Sequence, residues 1–176
     1  MIAGSLCKLR PVKQEDLEEL FTILNDLEVK ETLRDVLPES IEKLARFLKS
    51  GAFPASIVFA VEYHGRISGI ASLDKINWIS RNAYLGIALG KEYWGKGIGE
   101  EATRLLLMYA FEYLNLHKVN LEVYEYNERA MKLYKDLGFK EEGRLRKNNF
   151  RHGKYHDVII MGMLSKEYFE IHGRKL

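Results

Sequence analysis

The hydrophobic positions in the first fifty residues recur at the spacing of amphipathic helices. A helix is predicted from Gln14 to about Leu27, and a second one around residues 41–48, ended by Ser50-Gly51. Their apolar residues fall three or four positions apart, which places them on one helical face. These residues are Leu17, Leu20, Phe21, Leu24 and Leu27 in the first helix, and Ile41, Leu44, Phe47 and Leu48 in the second. The polar stretch between the helices, Glu28 to Leu37, fits either a loop or a broken helix.

Strand-like patterns occupy the N-terminus and the middle of the chain. Ser5 to Val12 predicts a short first strand. Beyond Pro54, Ile57 to Tyr63 is rich in β-branched and aromatic residues, and the turn signal His64-Gly65 leads into a paired strand from Ile67 to about Ile76. A further strand from Ala83 to Leu89 is also predicted.

In the second half of the chain, segments with helical spacing alternate with segments that have a strand-like pattern. Its predicted elements are, in order, a helix from about Gly99 to Leu114, a strand from Lys118 to Tyr126, a helix capped by Asn127 and ended by Gly138, strands from Phe139 to Phe150 and from Tyr155 to Leu164, and a helix from about Lys166. Strands interleaved with helices predict an α/β (α+β) fold with one mixed sheet of about six or seven strands, flanked by helices. We expect residues 1–176 to form a single domain.

Composition narrows the class of protein. With 47% hydrophobic and 30% charged residues, the chain has the composition of a soluble globular protein. Its net charge of +2 does not favour nucleic acid as a partner. One cysteine, Cys7, excludes an intrachain disulfide and fits a cytoplasmic location. No stretch has the length of a signal peptide or a membrane span, and no histidine has metal-ligand spacing, so we expect neither membrane nor metal.

The most informative stretch is YLGIALGKEYWGKGIGE, from Tyr84 to Glu100. A strand here runs into a loop with Gly95, Gly97 and Gly99 and then into a helix. Such a loop can bind phosphate, because backbone N–H groups and the helix dipole both favour an anion. The spacing is neither that of a P-loop nor that of a dinucleotide fingerprint. By itself it fits a plain strand-to-helix turn as well as a phosphate site.

A second motif lies downstream, in the segment NERAMKLYKDLGF from Asn127 to Phe139. This segment resembles the N-x-x-A-x-x-L-Y-x-x-x-G-F motif of the GNAT superfamily of acetyl-CoA-dependent N-acetyltransferases. The loop from Trp94 to Gly99 resembles that family's pyrophosphate loop, and both motifs stand in the family order. The tail EEGRLRKNNFRHGKYHDVIIMGMLSKEY is similar to the branch of ribosomal-protein alanine and serine acetyltransferases, spermidine acetyltransferases and some amino-sugar acetyltransferases.

The resemblance implies that the central strands splay apart to bind acetyl-CoA. The residues it assigns to the cofactor are Ile87, Ala88 and Leu89 for the pantetheine arm, Trp94, Gly95, Lys96, Gly97, Ile98, Gly99 and Glu100 for the pyrophosphate, and Asn127, Ala130 and Tyr134 on the following helix. At the first position of the loop the family usually has Gln or Arg, and this chain has Trp94. The difference has little effect, because backbone N–H groups make most of the bonds to the pyrophosphate. Asn127 also fits a plain helix cap.

The resemblance also implies direct acetyl transfer in a ternary complex, with two proton-handling residues. Tyr134 corresponds to the family's general acid. The alternative interpretation is that its side chain only packs in the core. Glu122 corresponds to a residue used as a base in ribosomal-protein alanine acetyltransferases. The alternative interpretation is that it is a solvent-exposed carboxylate on a strand. With an ordinary pKa near ~4.3, we expect Glu122 to act through water. Many relatives carry a carboxylate where this chain has Tyr84. Cys7 is interpreted as a small core residue rather than a nucleophile.

The acceptor is a primary amine whose identity the sequence leaves open. We expect a protein N-terminus or a polyamine. The alternatives are a nucleotide-linked amino sugar as the acceptor and, instead of an enzyme, a non-catalytic acyl-CoA-binding module. The acidic stretch with Asp26, Glu28, Glu31, Asp35 and Glu39 borders the acceptor pocket in the family, and it fits a solvated loop equally. We assign Glu31, Trp78 and Tyr126 to the acceptor. A homodimer is common in this branch.

Overall fold

A computed structural model describes residues 1–33, 38–46 and 55–173 of the chain. Its centre is one mixed sheet with the strand order β1-β2-β3-β4-β5-β6-β8-β7. The strands are β1 (Ile2–Ala3), β2 (Cys7–Pro11), β3 (Ile57–Tyr63), β4 (Arg66–Asn77), β5 (Asn82–Leu89), β6 (Lys118–Tyr124), β7 (Lys140–Arg151) and β8 (Lys154–Leu164). The helices are α1 (Leu17–Asn25), α2 (Leu27–Lys30), α3 (Ile41–Ala45), α4 (Ile98–Met108), α5 (Glu128–Asp136) and α6 (Ser165–His172). The predicted α/β class with one mixed sheet is confirmed.

The predicted count of six or seven strands is wrong, because the described residues alone form a sheet of eight. The additional strand is β1, in which Ile2 pairs with Leu9 and Ala3 with Lys8. Two residues are too few to display a period of two, so the pattern of apolar positions could not reveal this strand.

The predicted first helix has different ends in the structure. A 3₁₀ turn at Gln14–Asp16 precedes α1, and α1 stops at Asn25 because Asp26 adopts an extended conformation. The Asp26 side chain then accepts hydrogen bonds from the N–H groups of Glu28 and Val29 and so begins α2. Of the second predicted helix the structure describes α3, whose N-cap is Ser40. The predictions made for Asp35, Phe47, Leu48, Ser50, Gly51 and Pro54 lie outside the described residues.

Helices cover both faces of the sheet. On one face, α1 and α3 bury Leu17, Leu20 and Leu44 against strand residues such as Ala60 and Ala88. On the other, α4 buries apolar side chains against the centre of the sheet, and α5 packs on the margin of this larger cluster. The α4 residues in it are Ile98, Ala102, Leu106 and Leu107. A π-helical turn at Tyr109–Tyr113 continues α4 to the end predicted for it.

Neighbouring strands are antiparallel except β5 and β6, which are parallel. These two pair at only three positions, the last being Tyr84 with Asn120. Beyond this point β5 stays paired with β4 as far as Leu89, and β6 stays paired with β8 as far as Tyr124. The sheet therefore divides into two halves that diverge at its centre, as the resemblance implied. Across the described residues, no helix is long and apolar enough to cross a membrane.

The carboxylate of Glu101 attaches the N-terminal strands to the start of α4. It accepts hydrogen bonds from the N–H groups of Ser5, Leu6 and Cys7 at 2.7, 2.7 and 2.6 Å, and from the Ser5 hydroxyl at 2.6 Å. Burial acts to raise the pKa of Glu101, but these donors outweigh it and lower the pKa from 4.5 to about 2. Ionised Glu101 thus holds the turn between β1 and β2 beside the glycine loop.

We predict that Glu101→Gln lowers the free energy of unfolding by about 2 kcal/mol at pH 7, because the amide NH₂ cannot accept from these donors. The pKa of Glu101 is depressed in the folded protein, so its contribution is complete above about pH 4.5 and is lost as the pH falls toward about 2. Urea unfolding at pH 7 and pH 3 should show the difference between variant and wild type shrinking at the lower pH.

The neighbouring carboxylate provides the control for this measurement. Glu100 makes an exposed ion pair with Arg104 at 2.8 Å, and such pairs contribute little. Glu100→Gln should therefore leave the free energy of unfolding within about 0.5 kcal/mol of wild type. Equal losses in the two variants would contradict the role given to Glu101.

Candidate active site

A cleft of about 700 Å³ opens where β5 and β6 diverge. One wall is β5 from Tyr84 to Leu89, and the opposite wall is Glu122 and Val123 of β6 together with the first turns of α5. The glycine loop closes one end, and α1, α3 and residues 32 and 33 border the other. Most of the predicted site residues therefore meet around a single cavity.

The loop before α4 has the backbone conformation of an anion site. Gly95 and Gly97 have φ angles of 74° and 80°, in the left-handed region that glycine tolerates. Gly97 is the N-cap of α4, so the first N–H groups of the helix have no acceptor within it and face the loop. Of the seven predicted loop residues, five line the cleft: Trp94, Gly95, Gly97, Gly99 and Glu100.

The other two loop residues point elsewhere. The side chain of Ile98 is completely buried in the main core, where it holds the helix start on the sheet. The ammonium of Lys96 lies 5.8 Å from the centre of the Tyr93 ring. The backbone N–H of Ile98 still belongs to the first helical turn, which is the part a phosphate would contact.

Trp94 is a structural element of the loop. Its indole Nε1 donates to the carbonyl oxygen of Leu89 at 2.9 Å, and the Arg129 guanidinium stacks over its ring at 4.2 Å. These contacts link the end of β5, the glycine loop and the start of α5. Sequence reasoning did not include Arg129, which also lines the cleft.

Strand β5 presents a free backbone edge to the cleft. Ile87, Ala88 and Leu89 pair with Ala71, Ile70 and Gly69 of β4, while pairing with β6 has already ended at Tyr84. An extended ligand with amide groups can add to such an edge as a strand would. All three predicted residues line the cleft.

Helix α5 supplies the opposite contacts. Asn127 Oδ1 accepts from the N–H of Ala130 at 3.2 Å, so the predicted capping role is present. Asn127, Ala130 and Tyr134 all line the cleft. Tyr134 is half-buried, its ring lies 5.7 Å from that of Phe139, and burial raises the pKa of its phenol to about 12. The phenol is therefore protonated, and a donor, throughout the physiological pH range.

Glu122 lies in β6, two residues beyond the last position paired with β5. Its neighbours Val119, Leu121 and Val123 enter the main core, as their alternation predicted, while Glu122 lines the cleft. The structure thus brings the predicted acid and the predicted base to the same cavity.

Two of the three predicted acceptor residues, Glu31 and Tyr126, contact each other beside the rim residues Thr32 and Leu33, but neither is among the residues that line the cleft. The Tyr126 hydroxyl donates to the carbonyl oxygen of Glu31 at 2.8 Å, and the Glu31 carboxylate lies 2.7 Å from His152 Nε2. Trp78 packs against the main core near the turn between β4 and β5, and it is not among the residues lining the cleft.

Residues 28–33 connect the two halves of the sheet across this rim. The carboxylate of Glu28 lies 2.5 Å from the ammonium of Lys91, just after β5. At the other end, the hydroxyls of Tyr124 and Tyr126 donate to the carbonyl oxygens of Leu33 and Glu31. We call this segment the rim bridge.

The floor of the cleft carries polar residues that sequence reasoning missed. Ser72 and Asp74 of β4 face Gly86 and Tyr84 of β5 in register, and all four line the cavity. The sequence of β4 indicates that Ser72 and Asp74 share one face of the strand, because they alternate with the apolar residues Ala71 and Leu73. Glu39, one of the acidic residues noted in the sequence, also lines the cleft.

Other candidate groups lie apart from the cleft. Cys7 is buried, and burial raises the pKa of its thiol to about 12, as suits a core residue. His117 and His152 are exposed. Basic residues lie close together in sequence around the β7–β8 turn: Arg144, Arg146, Lys147, Arg151 and Lys154. Among them, Arg144 lies 3.2 Å from Asp157 and 3.7 Å from Glu141, which reduces its availability to an anion. The part of the chain that is described contains no group of three or more potential metal ligands.

A family model and individual relatives both show similarity to acetyltransferases. Residues 7–140 match the family model described as the acetyltransferase (GNAT) domain. The spermidine N(1)-acetyltransferase of Escherichia coli (strain K12) is 33% identical over 166 residues, which are 94% of this chain and 89% of that protein. The corresponding enzyme of Vibrio cholerae is 32% identical over 167 residues, covering 94% and 96% of the two chains.

A solved structure also matches this architecture closely. The crystal structure of spermidine N-acetyltransferase from Vibrio cholerae in complex with CoA and spermine superposes with a TM-score of 0.86 at 32% identity. The match covers 94% of this chain and 99% of that one. With its glycine loop, diverging strands and Asn127–Phe139 motif placed around one cleft, the chain belongs to the GNAT acetyltransferase family.

Proposed function

We propose that this protein transfers the acetyl group of acetyl-CoA to a primary amine of a polyamine. The observation that carries the proposal is that one cleft combines an anion-binding loop with more carboxylates than cationic side chains. The carboxylates are those of Glu39, Asp74, Glu100 and Glu122, and the cations are Lys75 and Arg129. The loop suits a pyrophosphate, and carboxylates attract a polycation. The relatives from Escherichia coli and Vibrio cholerae are named for spermidine, which supports the same acceptor class.

The residues present fit acetyl-CoA as the acetyl donor. The first N–H groups of α4, with Gly95 and Gly97, would hold its pyrophosphate. The free edge of β5 would pair with the amide groups of its pantetheine arm. Bound in this way, acetyl-CoA supplies a thioester that an amine can attack.

Proton transfer is assigned to Tyr134 and Glu122. Attack requires a neutral amine, and Glu122 would accept its proton through an intervening water. Negative charge develops on the departing sulfur, and the protonated phenol of Tyr134 can donate to it. Both side chains line the same cleft, which supports this division of roles.

Three further expectations are part of the proposal. One domain over residues 1–176 is supported by β8, which lies between β6 and β7 in the sheet although the family match ends at residue 140. A cytoplasmic location is supported by the single, buried cysteine. A homodimer and a protein N-terminal acceptor stay predictions, to be tested by sedimentation and by assay of N-terminal peptides.

The direct test is an acceptor assay with mass detection. Purified protein, acetyl-CoA and spermidine should yield free CoA and a product heavier by one acetyl group. The panel should also contain spermine, putrescine, an N-terminal peptide and a nucleotide-linked amino sugar. A protein that binds acetyl-CoA and acetylates no member of the panel would instead support a non-catalytic binding module.

Tyr134→Phe should lower kcat by about 100-fold or more, because removal of a general acid commonly has an effect of this size. Its dissociation constant for acetyl-CoA should change little, since only the hydroxyl is removed. Steady-state kinetics combined with calorimetric titration separates the two quantities. Full turnover in the variant would remove Tyr134 from the mechanism.

Glu122→Gln should change the pH–rate profile, because the amide cannot accept a proton as the carboxylate can. The measurement is kcat/KM for spermidine across the pH range in which wild type and variant remain folded. An unchanged profile would show that another group or an ordered water accepts the proton.

Gly97→Ala should raise the dissociation constant for CoA roughly tenfold, because a left-handed conformation costs an L-residue about 1–2 kcal/mol. In addition, the new Cβ would lie 3.3 Å from Leu6 Cδ1. Gly143→Ala is the matched control, since Gly143 has no positive φ and an added Cβ would meet no atom within 4 Å. Similar CoA affinities in both variants would argue against the loop as the phosphate site.

A further inference from the structure

The floor of the cleft contains a polar notch formed by Ser72, Asp74 and Gly86. Ser72 pairs with Gly86 and Asp74 with Tyr84, so these residues face the cavity from adjacent strands. A Cβ on Gly86 would lie 2.8 Å from Ser72 Oγ and 3.5 Å from Asp74 Oδ2. Because Gly86 has no side chain, Ser72 and Asp74 can occupy the space beside it.

Asp74 is held in a fixed orientation within this notch. The Ser72 hydroxyl, itself buried, donates to Asp74 Oδ2 at 2.6 Å. A carboxylate can accept up to about four hydrogen bonds. Within residues 1–33, 38–46 and 55–173, Ser72 donates the hydrogen bond that Asp74 accepts, which leaves accepting capacity on a carboxylate that also lines the cleft.

We propose that Asp74 determines acceptor specificity by binding an ammonium group of the polyamine that is not being acetylated. The inference rests on the proposed function and names the residue that distinguishes a polyamine from a monoamine. A carboxylate at the cleft floor makes strong, charge-assisted hydrogen bonds with an alkylammonium group.

The non-reacting nitrogen is the appropriate partner for chemical reasons. A carboxylate in contact with an amine favours its protonated form, which cannot attack a thioester. Asp74 pairs with Tyr84 and Tyr84 with Asn120, so Asp74 lies two strand spacings, on the order of 10 Å, from Asn120. Glu122 lies two residues farther along β6, where the strands diverge, so it is more distant from Asp74 than Asn120 is. An extended polyamine can span such a distance with one nitrogen protonated near Asp74 and another neutral near Glu122.

Lys75 opposes this attraction. Its ammonium lies 4.8 Å from the centre of the Tyr84 ring, and its side chain also lines the cleft. Among the described residues Lys75 forms no ion pair, so its charge is not neutralised by a neighbouring carboxylate. Removal of this positive charge should therefore strengthen the binding of a polycation, whereas removal of the Asp74 charge should weaken it.

The test compares spermidine with butylamine, which has a single amine and no second charge. In Asp74→Asn, which preserves the side-chain shape, KM for spermidine should rise roughly tenfold or more. KM for butylamine and for acetyl-CoA should stay at the wild-type values. Lys75→Met should lower KM for spermidine a few-fold. Asp136→Asn, an exposed aspartate paired with Lys132, is the matched control and should change none of these constants.

The outcomes separate this inference from the proposed function. Wild-type protein that does not acetylate spermidine overturns both. Normal wild-type activity with an unchanged spermidine KM in Asp74→Asn, or with the same change for butylamine, overturns the role of Asp74 alone. If Asp74→Asn melts below the assay temperature, Lys75→Met decides: a lower spermidine KM supports the inference, and an unchanged one overturns it.

Discussion

The divergence of β5 and β6 is the constraint on which the rest of the structure depends. Two parallel strands normally satisfy each other's backbone groups along their length, yet these two stop pairing after three positions. The strands remain rigid because each is fully paired on its other side, β5 with β4 and β6 with β8. The unpaired edges are thus held in place as binding groups, and the space between them becomes the cleft.

The glycine loop depends on the same arrangement. It starts directly after the free edge of β5, so the ligand that pairs with this edge continues toward the first turn of α4. The buried side chain of Ile98 fixes the helix on the sheet, and Glu101 fixes it to the turn before β2. Gly95 and Gly97, which have positive φ angles, therefore lie between two well-anchored elements, and these elements hold the loop in its conformation.

Local patterns predicted a large part of this arrangement, and the remainder required the tertiary structure. The bounds of β3 agree with the pattern Ile57 to Tyr63, and both motifs lie at the cleft. The short strand β1 and the cap at Asp26 were missed, because two residues show no period and Leu27 continued the apolar spacing of α1. The polar floor was missed because Ser72 and Gly86 are brought together by strand register, and no spacing along the chain records register.

The rim bridge has a consequence for how a ligand is bound. Val29 in this segment is completely buried, and both ends of the bridge contact the strands whose separation defines the cleft. The protein's own contacts, chiefly buried Val29 and the hydrogen bonds from Tyr124 and Tyr126, therefore support the walls of the cavity. A preorganised cavity spends little of the binding free energy on ordering its walls, so the contacts made by two substrates can go into aligning amine and thioester.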